Sequence, residues 1–217
     1  MNRREFSLSA AAVLGASALG WPGLALAQHK PEDGKDYRTL DKRAPVQAPA
    51  GKIEVVEFFW YSCPHCNAFE PLLNTWLKKL PPDVAFRRVP VQFRDDFVPQ
   101  QRLYYTLEAM GKVDELHDKV FDAIHNQRQP VDREDRILAF AEKNGLDKAK
   151  FQEMYNSFAV STKARQAKQL QDQYEVDGVP ALGIAGRYYT DGTLAGGMPH
   201  ALQVVDYLVA ETRKAGK

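Results

Sequence analysis

The fold is decided by the segment IEVVEFFWYSCPHC, residues 53–66, in which an apolar run leads directly into two cysteines. Lys52–Tyr61 is almost continuously β-branched or aromatic, which is typical of a strand covered on both faces in a mainly parallel sheet. Cys63 and Cys66 are the only cysteines among the 217 residues. The segment therefore predicts a redox-active dithiol where a buried strand passes into a helix.

A helix is predicted to start at this dithiol. Apolar residues recur at helical spacing after Cys66 until Pro81 and Pro82 interrupt the pattern. Pro64 suits the first helical position, where its missing N–H has no partner to lose. Val84–Val91 then indicates a second buried strand, so that strand, helix and strand form one βαβ unit.

The rest of the chain predicts a helical insertion and a closing hairpin. From about Phe97 to Tyr174 there are five capped helical stretches, the last over Lys163–Tyr174, and no convincing strand. Ala181–Ala185 and Arg187–Thr190 then flank a glycine as a hairpin, and Pro199 opens a terminal helix. The arm before the central strand is punctuated by prolines, with one short edge strand expected near residues 37–40.

The N-terminus has the pattern of a targeting segment. Two arginines precede the weakly apolar stretch 8–26, and Ala25-Leu26-Ala27 is a small-x-small cleavage signal. We expect a signal peptide over residues 1–27 and a mature chain in an exported, disulfide-permissive compartment. Arg3-Arg4-Glu5-Phe6 resembles a twin-arginine signal, but Ser7 replaces its usual aliphatic residue, so the export route stays open. An uncleaved membrane anchor is the alternative, weakened by the glycines and proline of the stretch.

The charge balance gives no support to several classes of partner and counts against a nucleic-acid-binding protein. Lysine and arginine number 29 against 28 aspartates and glutamates, and removing residues 1–27 leaves 27 of each sign. A balanced chain gives no indication of nucleic acid, anionic lipid or acidic substrates as partners. No later stretch is long and apolar enough to cross a membrane, so we expect a soluble mature protein.

The two cysteines have different expected roles. At a helix N-terminus, unpaired N–H groups and the helix dipole favour a thiolate on Cys63, and His65 can add a donor or a positive charge. Stabilising the thiolate makes the disulfide form a stronger oxidant. We expect Cys63, at the helix tip, to be the exposed nucleophile and leaving group. Cys66, one turn inside, is the buried resolving partner.

Other readings of the cysteines are less well supported. A zinc site would need ligands from His29, His65, His117, His125 and His200, none of which has the H-x3–5-H spacing. A c-type haem needs histidine after the second cysteine, where Asn67 stands. A structural disulfide would close too short a loop to stabilise much. We therefore expect neither metal nor cofactor.

The motifs in combination resemble the DsbA family of periplasmic thiol:disulfide oxidases. The resemblance rests on Cys63-Pro64-His65-Cys66 preceded by Glu57-Phe58-Phe59, on Phe69-Glu70, on the long helical stretch, and on Gly178-Val179-Pro180-Ala181 before a strand. It implies an α/β thioredoxin fold with an inserted helical domain. The thioredoxin-like domain would comprise residues 28–96 and 175–217, and the insertion residues 97–174.

The resemblance also implies roles for further residues. Pro180 would be cis beside the dithiol, and the backbone of Val179 would pair with substrate. Glu57 would help move a proton to or from Cys66, unless it is simply paired with a base such as Arg88 on the next strand. Glu70 would either tune the thiolate or lie on a solvated helix face.

The resemblance further implies partners and a compartment, the periplasm. An apolar surface around the dithiol would accept reduced or unfolded exported proteins, with Trp60, Tyr61 and Met198 as candidates, and a membrane quinone-linked oxidase of the DsbB type would reoxidise the dithiol. We expect a monomer that donates its Cys63–Cys66 disulfide to newly translocated proteins. A disulfide isomerase or reductase, or a peptide-binding chaperone without turnover, is the alternative.

Overall fold

One five-stranded sheet carries the fold, in the order β1-β5-β4-β2-β3. The computed structural model describes residues 30–216, so the predicted signal peptide lies outside the described residues. The strands are β1 Arg38–Thr39, β2 Ile53–Phe59, β3 Val84–Pro90, β4 Ala181–Ile184 and β5 Tyr188–Asp191. The predicted edge strand, central strand and hairpin are all present.

The sheet is mixed, and the prediction of a mainly parallel sheet is wrong. Of the paired strands in residues 30–216, only β2 and β3 run parallel; β2 pairs antiparallel with β4, and β5 pairs antiparallel with both β4 and β1. No residue of β2 is exposed. The continuous apolar run reflects this cover on both faces, which does not depend on strand direction.

Seven α-helices surround the sheet in residues 30–216. They are α1 Pro64–Leu77, α2 Val98–Ala109, α3 Val113–His125, α4 Glu134–Lys143, α5 Lys148–Tyr155, α6 Phe158–Gln173 and α7 Met198–Ala215. α2 to α6 fill the region between β3 and β4, where the helical insertion was predicted. α6 begins five residues before the predicted start, because the Ser157 hydroxyl accepts a hydrogen bond from the Val160 N–H at 3.2 Å and caps the helix.

The core lies on both sides of β2. Val55 belongs to a cluster with apolar side chains of α1 and α7, namely Phe69, Leu73, Leu202, Val205 and Leu208. Val56 and Phe58 belong to a second cluster that includes residues of α2 to α6. Phe59 at the end of β2 and both cysteines belong to this second cluster, so the dithiol is anchored on the side of the sheet that the helical insertion covers. No helix within residues 30–216 combines the length and apolarity that a membrane span requires.

Candidate active site

The dithiol sits at the first turn of α1. Cys63 is the N-cap residue and Pro64 the first helical residue, as predicted. The Cys63 sulfur accepts a hydrogen bond from the Cys66 N–H at 3.4 Å, so it satisfies one of the free donors at the helix start. Both cysteines are free thiols. Cys63 is 8% exposed and Cys66 fully buried, so Cys63 is the more accessible sulfur but not the exposed one that the sequence predicted.

The two thiols differ strongly in acidity. The pKa of Cys63 is lowered from 9.0 to about 6, chiefly by a hydrogen bond from the Cys66 side chain. Burial opposes this shift, while the N–H groups of Cys66 and His65 and the charge of His65 add to it. Burial raises the pKa of Cys66 far above its ordinary value. At neutral pH the reduced pair therefore holds a thiolate on Cys63 and a thiol on Cys66.

A cis peptide bond faces the dithiol. The Val179-Pro180 bond is cis, and the Val179 carbonyl oxygen lies 3.5 Å from the Cys63 sulfur. Both residues line an open groove of about 590 Å³ that also contains His65, Asp177, Asp191 and Met198. The structure thus brings together the predicted Cys63, His65, Val179 and Pro180.

A buried ion network lies beneath the site. Glu57 of β2 is fully buried, and its Oε2 lies 3.0 Å from Nε of Arg88 on β3. Arg88 also donates from Nη2 to Oε2 of Glu70 on α1, at 2.8 Å. Burial and the nearby Glu70 raise the pKa of Glu57, although the Arg88 charge opposes the shift. Glu57 is therefore paired with Arg88, the alternative considered from sequence, and its pKa nevertheless lies above the ordinary value.

Glu70 is not on a solvated helix face, because it is only 5% exposed. Burial disfavours its charge, but hydrogen bonds from His117 and Arg88 outweigh this effect and lower its pKa. Sequence reasoning missed His117, which lies 47 residues from Glu70. Its place on the apolar side of α3 was the available signal, since a buried histidine needs polar partners.

The three residues predicted to form an exposed apolar surface, Trp60, Tyr61 and Met198, differ in their exposure. Tyr61 is fully buried, so its assignment to such a surface is wrong; it packs edge-on against Phe59. Trp60 is partly buried and stacks on Phe97, with ring centroids 4.0 Å apart. Met198 is partly buried and lines the groove. No group of three or more histidine, cysteine, aspartate or glutamate side chains within residues 30–216 is arranged to hold a metal ion.

Two cysteines at the start of the helix that follows the central strand, on a sheet of this topology, define a thiol:disulfide oxidoreductase with the thioredoxin fold. Residues 54–201 match the DSBA-like thioredoxin domain. The chain belongs to this family, which confirms the predicted fold class and the resemblance seen in the sequence.

Relatives named as thiol:disulfide interchange proteins are similar to this chain over most of its length. The thiol:disulfide interchange protein DsbA of Azotobacter vinelandii is 42% identical over 198 residues, 91% of this chain and 92% of the relative. That of Burkholderia cepacia is 41% identical over 183 residues, 84% of this chain and 86% of the relative. The crystal structure of Pseudomonas aeruginosa DsbA matches with a TM-score of 0.80 at 42% identity, over 84% of this chain and 95% of that one.

Proposed function

We propose that the protein is an exported oxidase that donates its Cys63–Cys66 disulfide to reduced proteins. The observation that carries the proposal is the N-cap position of Cys63, whose sulfur accepts a hydrogen bond from the helix and whose pKa is lowered to about 6. Stabilising the thiolate of the reduced enzyme favours reduction of its disulfide, and so oxidation of a partner.

The reaction proceeds through a mixed disulfide. A substrate thiolate attacks the Cys63 sulfur of the oxidised enzyme; the Cys63–Cys66 bond breaks, and Cys66 leaves as a thiolate that takes up a proton. A second substrate thiolate then attacks the substrate sulfur of the mixed disulfide, and Cys63 leaves as a thiolate. The substrate loses two electrons and gains a disulfide, while the enzyme ends as the dithiol.

Glu57 is the proposed proton donor to the departing Cys66. Burial raises its pKa, which favours the protonated form more than water would, and its charge when ionised raises the pKa of Cys66. A general acid is most effective when its pKa lies near the working pH. Glu57 therefore assists the first step, where Cys66 is the leaving group.

Substrate binding is assigned to the groove at the cis bond. This assignment is supported by the Val179 carbonyl, 3.5 Å from the Cys63 sulfur, and by the groove that Val179 and Pro180 line, where an extended peptide could pair with the backbone. Backbone pairing accepts many sequences, as required for clients that share only reduced cysteines.

The compartment and partners are proposed from the N-terminal sequence and the family. A cleaved signal peptide over residues 1–27 would deliver the mature chain to the periplasm, where disulfides persist. There a membrane quinone-linked oxidase of the DsbB type would restore the disulfide. The mature protein is proposed to act as a monomer, with residues 97–174 as an inserted helical domain.

Cysteine substitutions test the proposal. Wild-type oxidised protein, Cys63→Ser and Cys66→Ser are mixed with a reduced, unfolded model protein, and disulfide formation and mixed disulfides are followed. Cys63→Ser should form neither, whereas Cys66→Ser, supplied with an oxidised small thiol, should accumulate mixed disulfides at Cys63. Full oxidase activity in either variant contradicts the proposal. Retention of the cellular function after replacement of both cysteines would favour the chaperone alternative.

A further inference from the structure

His117 is a buried titratable residue that the proposed exchange steps do not use. It lies on α3, is 3% exposed, and joins two residues of other elements. Its Nδ1 is 2.9 Å from the Tyr61 hydroxyl, and its Nε2 is 3.2 Å from Oε1 of Glu70. Aromatic rings of Phe59, Tyr104 and Phe121 surround it.

The hydrogen bonds fix which atoms carry protons. Burial keeps the Tyr61 hydroxyl protonated by raising its pKa, so this hydroxyl can donate. Burial also lowers the pKa of His117, against the opposing effect of Glu70, so its ring is neutral and has one N–H. A carboxylate can only accept. The Tyr61 O–H therefore donates to Nδ1, and the Nε2–H of His117 donates to Glu70.

This arrangement distinguishes the two carboxyl groups beside Arg88. Glu70 receives a donor on each oxygen, His117 on Oε1 and Arg88 Nη2 on Oε2. Glu57 has the Arg88 Nε at 3.0 Å, but the two groups are not aligned as a hydrogen bond, and neither oxygen of Glu57 has another hydrogen-bond partner among the described residues. The Arg88 guanidinium thus lies between two buried carboxyls: Glu70, with a hydrogen-bond donor on each oxygen, and Glu57, with none from the part of the chain that the structure describes.

We propose that His117 is a positioning residue for disulfide exchange: held in one tautomer by Tyr61, it donates to Glu70 and keeps that carboxyl ionised, so that a proton bound by the pair of carboxyls beside Arg88 goes to Glu57. The inference rests on the proposed role of Glu57 as proton donor to Cys66. Two interacting carboxyls titrate as a pair, and the donor that His117 gives to one of them decides where the single proton resides.

Other charged and titratable groups face the network from each neighbouring element. Arg88 comes from β3, Glu57 from β2, Cys66 from α1, Tyr104 from α2, and Asp118 from α3 itself. Within residues 30–216, the hydrogen bonds to the Glu70 carboxyl come from Arg88 and His117, and His117 alone donates to Oε1.

The test removes the two donors together. The double variant Tyr61→Phe/His117→Phe takes away both partners of one buried hydrogen bond, which costs less than leaving one of them unpaired. Tyr61→Phe alone is the milder version, since it frees the histidine tautomer without changing the ring packing. Tyr155→Phe is the control, because that tyrosine is also buried but its hydroxyl donates to the Pro99 carbonyl, away from the network.

Two readouts separate positioning from packing. Carboxyl-carbon NMR follows the titration of Glu70 and Glu57 in the reduced protein, and stopped-flow measurements give the rate of mixed-disulfide formation per substrate thiolate. In the double variant, Glu70 should titrate about one pH unit higher, the shift expected on losing one hydrogen bond to a charged group. Glu57 should carry less of the shared proton, and the rate should fall by about twofold to tenfold. His117→Gln, which keeps an N–H donor, should recover part of the rate.

The rate loss caused by the double variant should vanish when Glu57 is already replaced by Gln, because His117 acts through the proton on Glu57. An unchanged Glu70 titration, or an equal rate loss in the Glu57→Gln background, overturns the inference. If the wild-type protein itself oxidises no substrate, the proposed function fails, while the NMR titration still decides where the proton lies. If the double variant does not fold, Tyr61→Phe gives the same comparison with a smaller expected shift.

Discussion

Cys63 owes its acidity mainly to hydrogen bonds at the start of α1. The Cys66 side chain makes the largest contribution, followed among the favourable ones by the N–H groups of Cys66 and His65, and the charge of His65 comes last. Since the backbone donors belong to the helix, the acidity depends on where the helix starts as much as on which residue lies between the cysteines.

Alkylation of the reduced protein measures this acidity. The rate of reaction with iodoacetamide should follow the Cys63 thiolate, with a midpoint at a pH of about 6, because the thiolate is the nucleophile. Cys66 should not react in the folded protein, since it is fully buried. A midpoint near the ordinary value of 9.0 would contradict the assignment of Cys63 as the stabilised thiolate.

Replacing His65 separates its charge from the backbone donors. In His65→Ala the pKa of Cys63 should rise by about one unit or less, the size of a single exposed charge effect, because both N–H groups remain. Pro64→Ala serves as a control that leaves the charge in place. A return of the Cys63 pKa to its ordinary value in His65→Ala would show that the histidine, not the helix, stabilises the thiolate.

At the scale of elements, the end of α6 packs directly on β4 and on the turn that follows it. Tyr174, at the C-cap of α6, is fully buried, and its hydroxyl accepts a hydrogen bond from the Gly186 N–H at 2.9 Å. A Cβ at Gly183 of β4 would overlap the Tyr174 ring. The absence of a side chain at residue 183 therefore lets the helix end pack directly on the strand.

The substitution Gly183→Ala should destabilise the protein by about 1–3 kcal/mol, the usual cost of overpacking a core. The ring cannot move away without losing its hydrogen bond to Gly186. Urea unfolding measures the change, and Gly178→Ala, where an added Cβ meets nothing within 4 Å, is the matched control. Equal stability of the two variants would show that the α6–β4 contact is loose.

The sequence predicted the elements around the dithiol because their signals are local. A continuous apolar run, a proline after Cys63 and a glycine between two short strands each act within a few residues. The early start of α6 was missed because Phe158, at its first turn, is 80% exposed and gives no apolar periodicity. Only the capping residue Ser157 marked the true start.

Local sequence patterns could not predict the buried hydrogen-bond network beneath the dithiol. His117 meets Tyr61 and Glu70 across 56 and 47 residues of chain, and only the packing of α3 against α1 brings them together. Glu57 and its possible pairing with Arg88 could be predicted from the sequence, because the two residues lie on neighbouring predicted strands. The exposure of Cys63 was overestimated because the loop carrying Val179 covers its sulfur. The division into two domains stays a prediction.

At the scale of the whole molecule, the acidity of Cys63 couples redox state to stability. The pKa of Cys63 is lower in the folded reduced protein, about 6, than the ordinary value of 9.0. The folded state therefore releases a proton that the unfolded state keeps between these values, so the stability of the reduced protein rises with pH over this window and is lost as pH falls toward 6.

Urea unfolding of the reduced protein should show this rise. Between pH 6 and pH 8 the wild-type free energy of unfolding should increase relative to that of Cys63→Ser, which lacks the thiolate. Above pH 9 the gain should stop, because Cys63 then ionises in the unfolded state as well and the two states bind equal numbers of protons at this site. A constant difference between the two proteins would contradict the lowered pKa.

The central claim is that the protein oxidises its substrates. At pH 7 a Cys63 pKa of about 6 in place of 9.0 favours the reduced dithiol about tenfold, equivalent to about 30 mV. The most direct test is the equilibrium between the Cys63–Cys66 pair and glutathione at pH 7. We expect a couple more oxidising than glutathione, so that the protein is reduced in buffers where glutathione is still largely oxidised. A couple more reducing than glutathione would contradict the oxidase and assign the protein to the reductases.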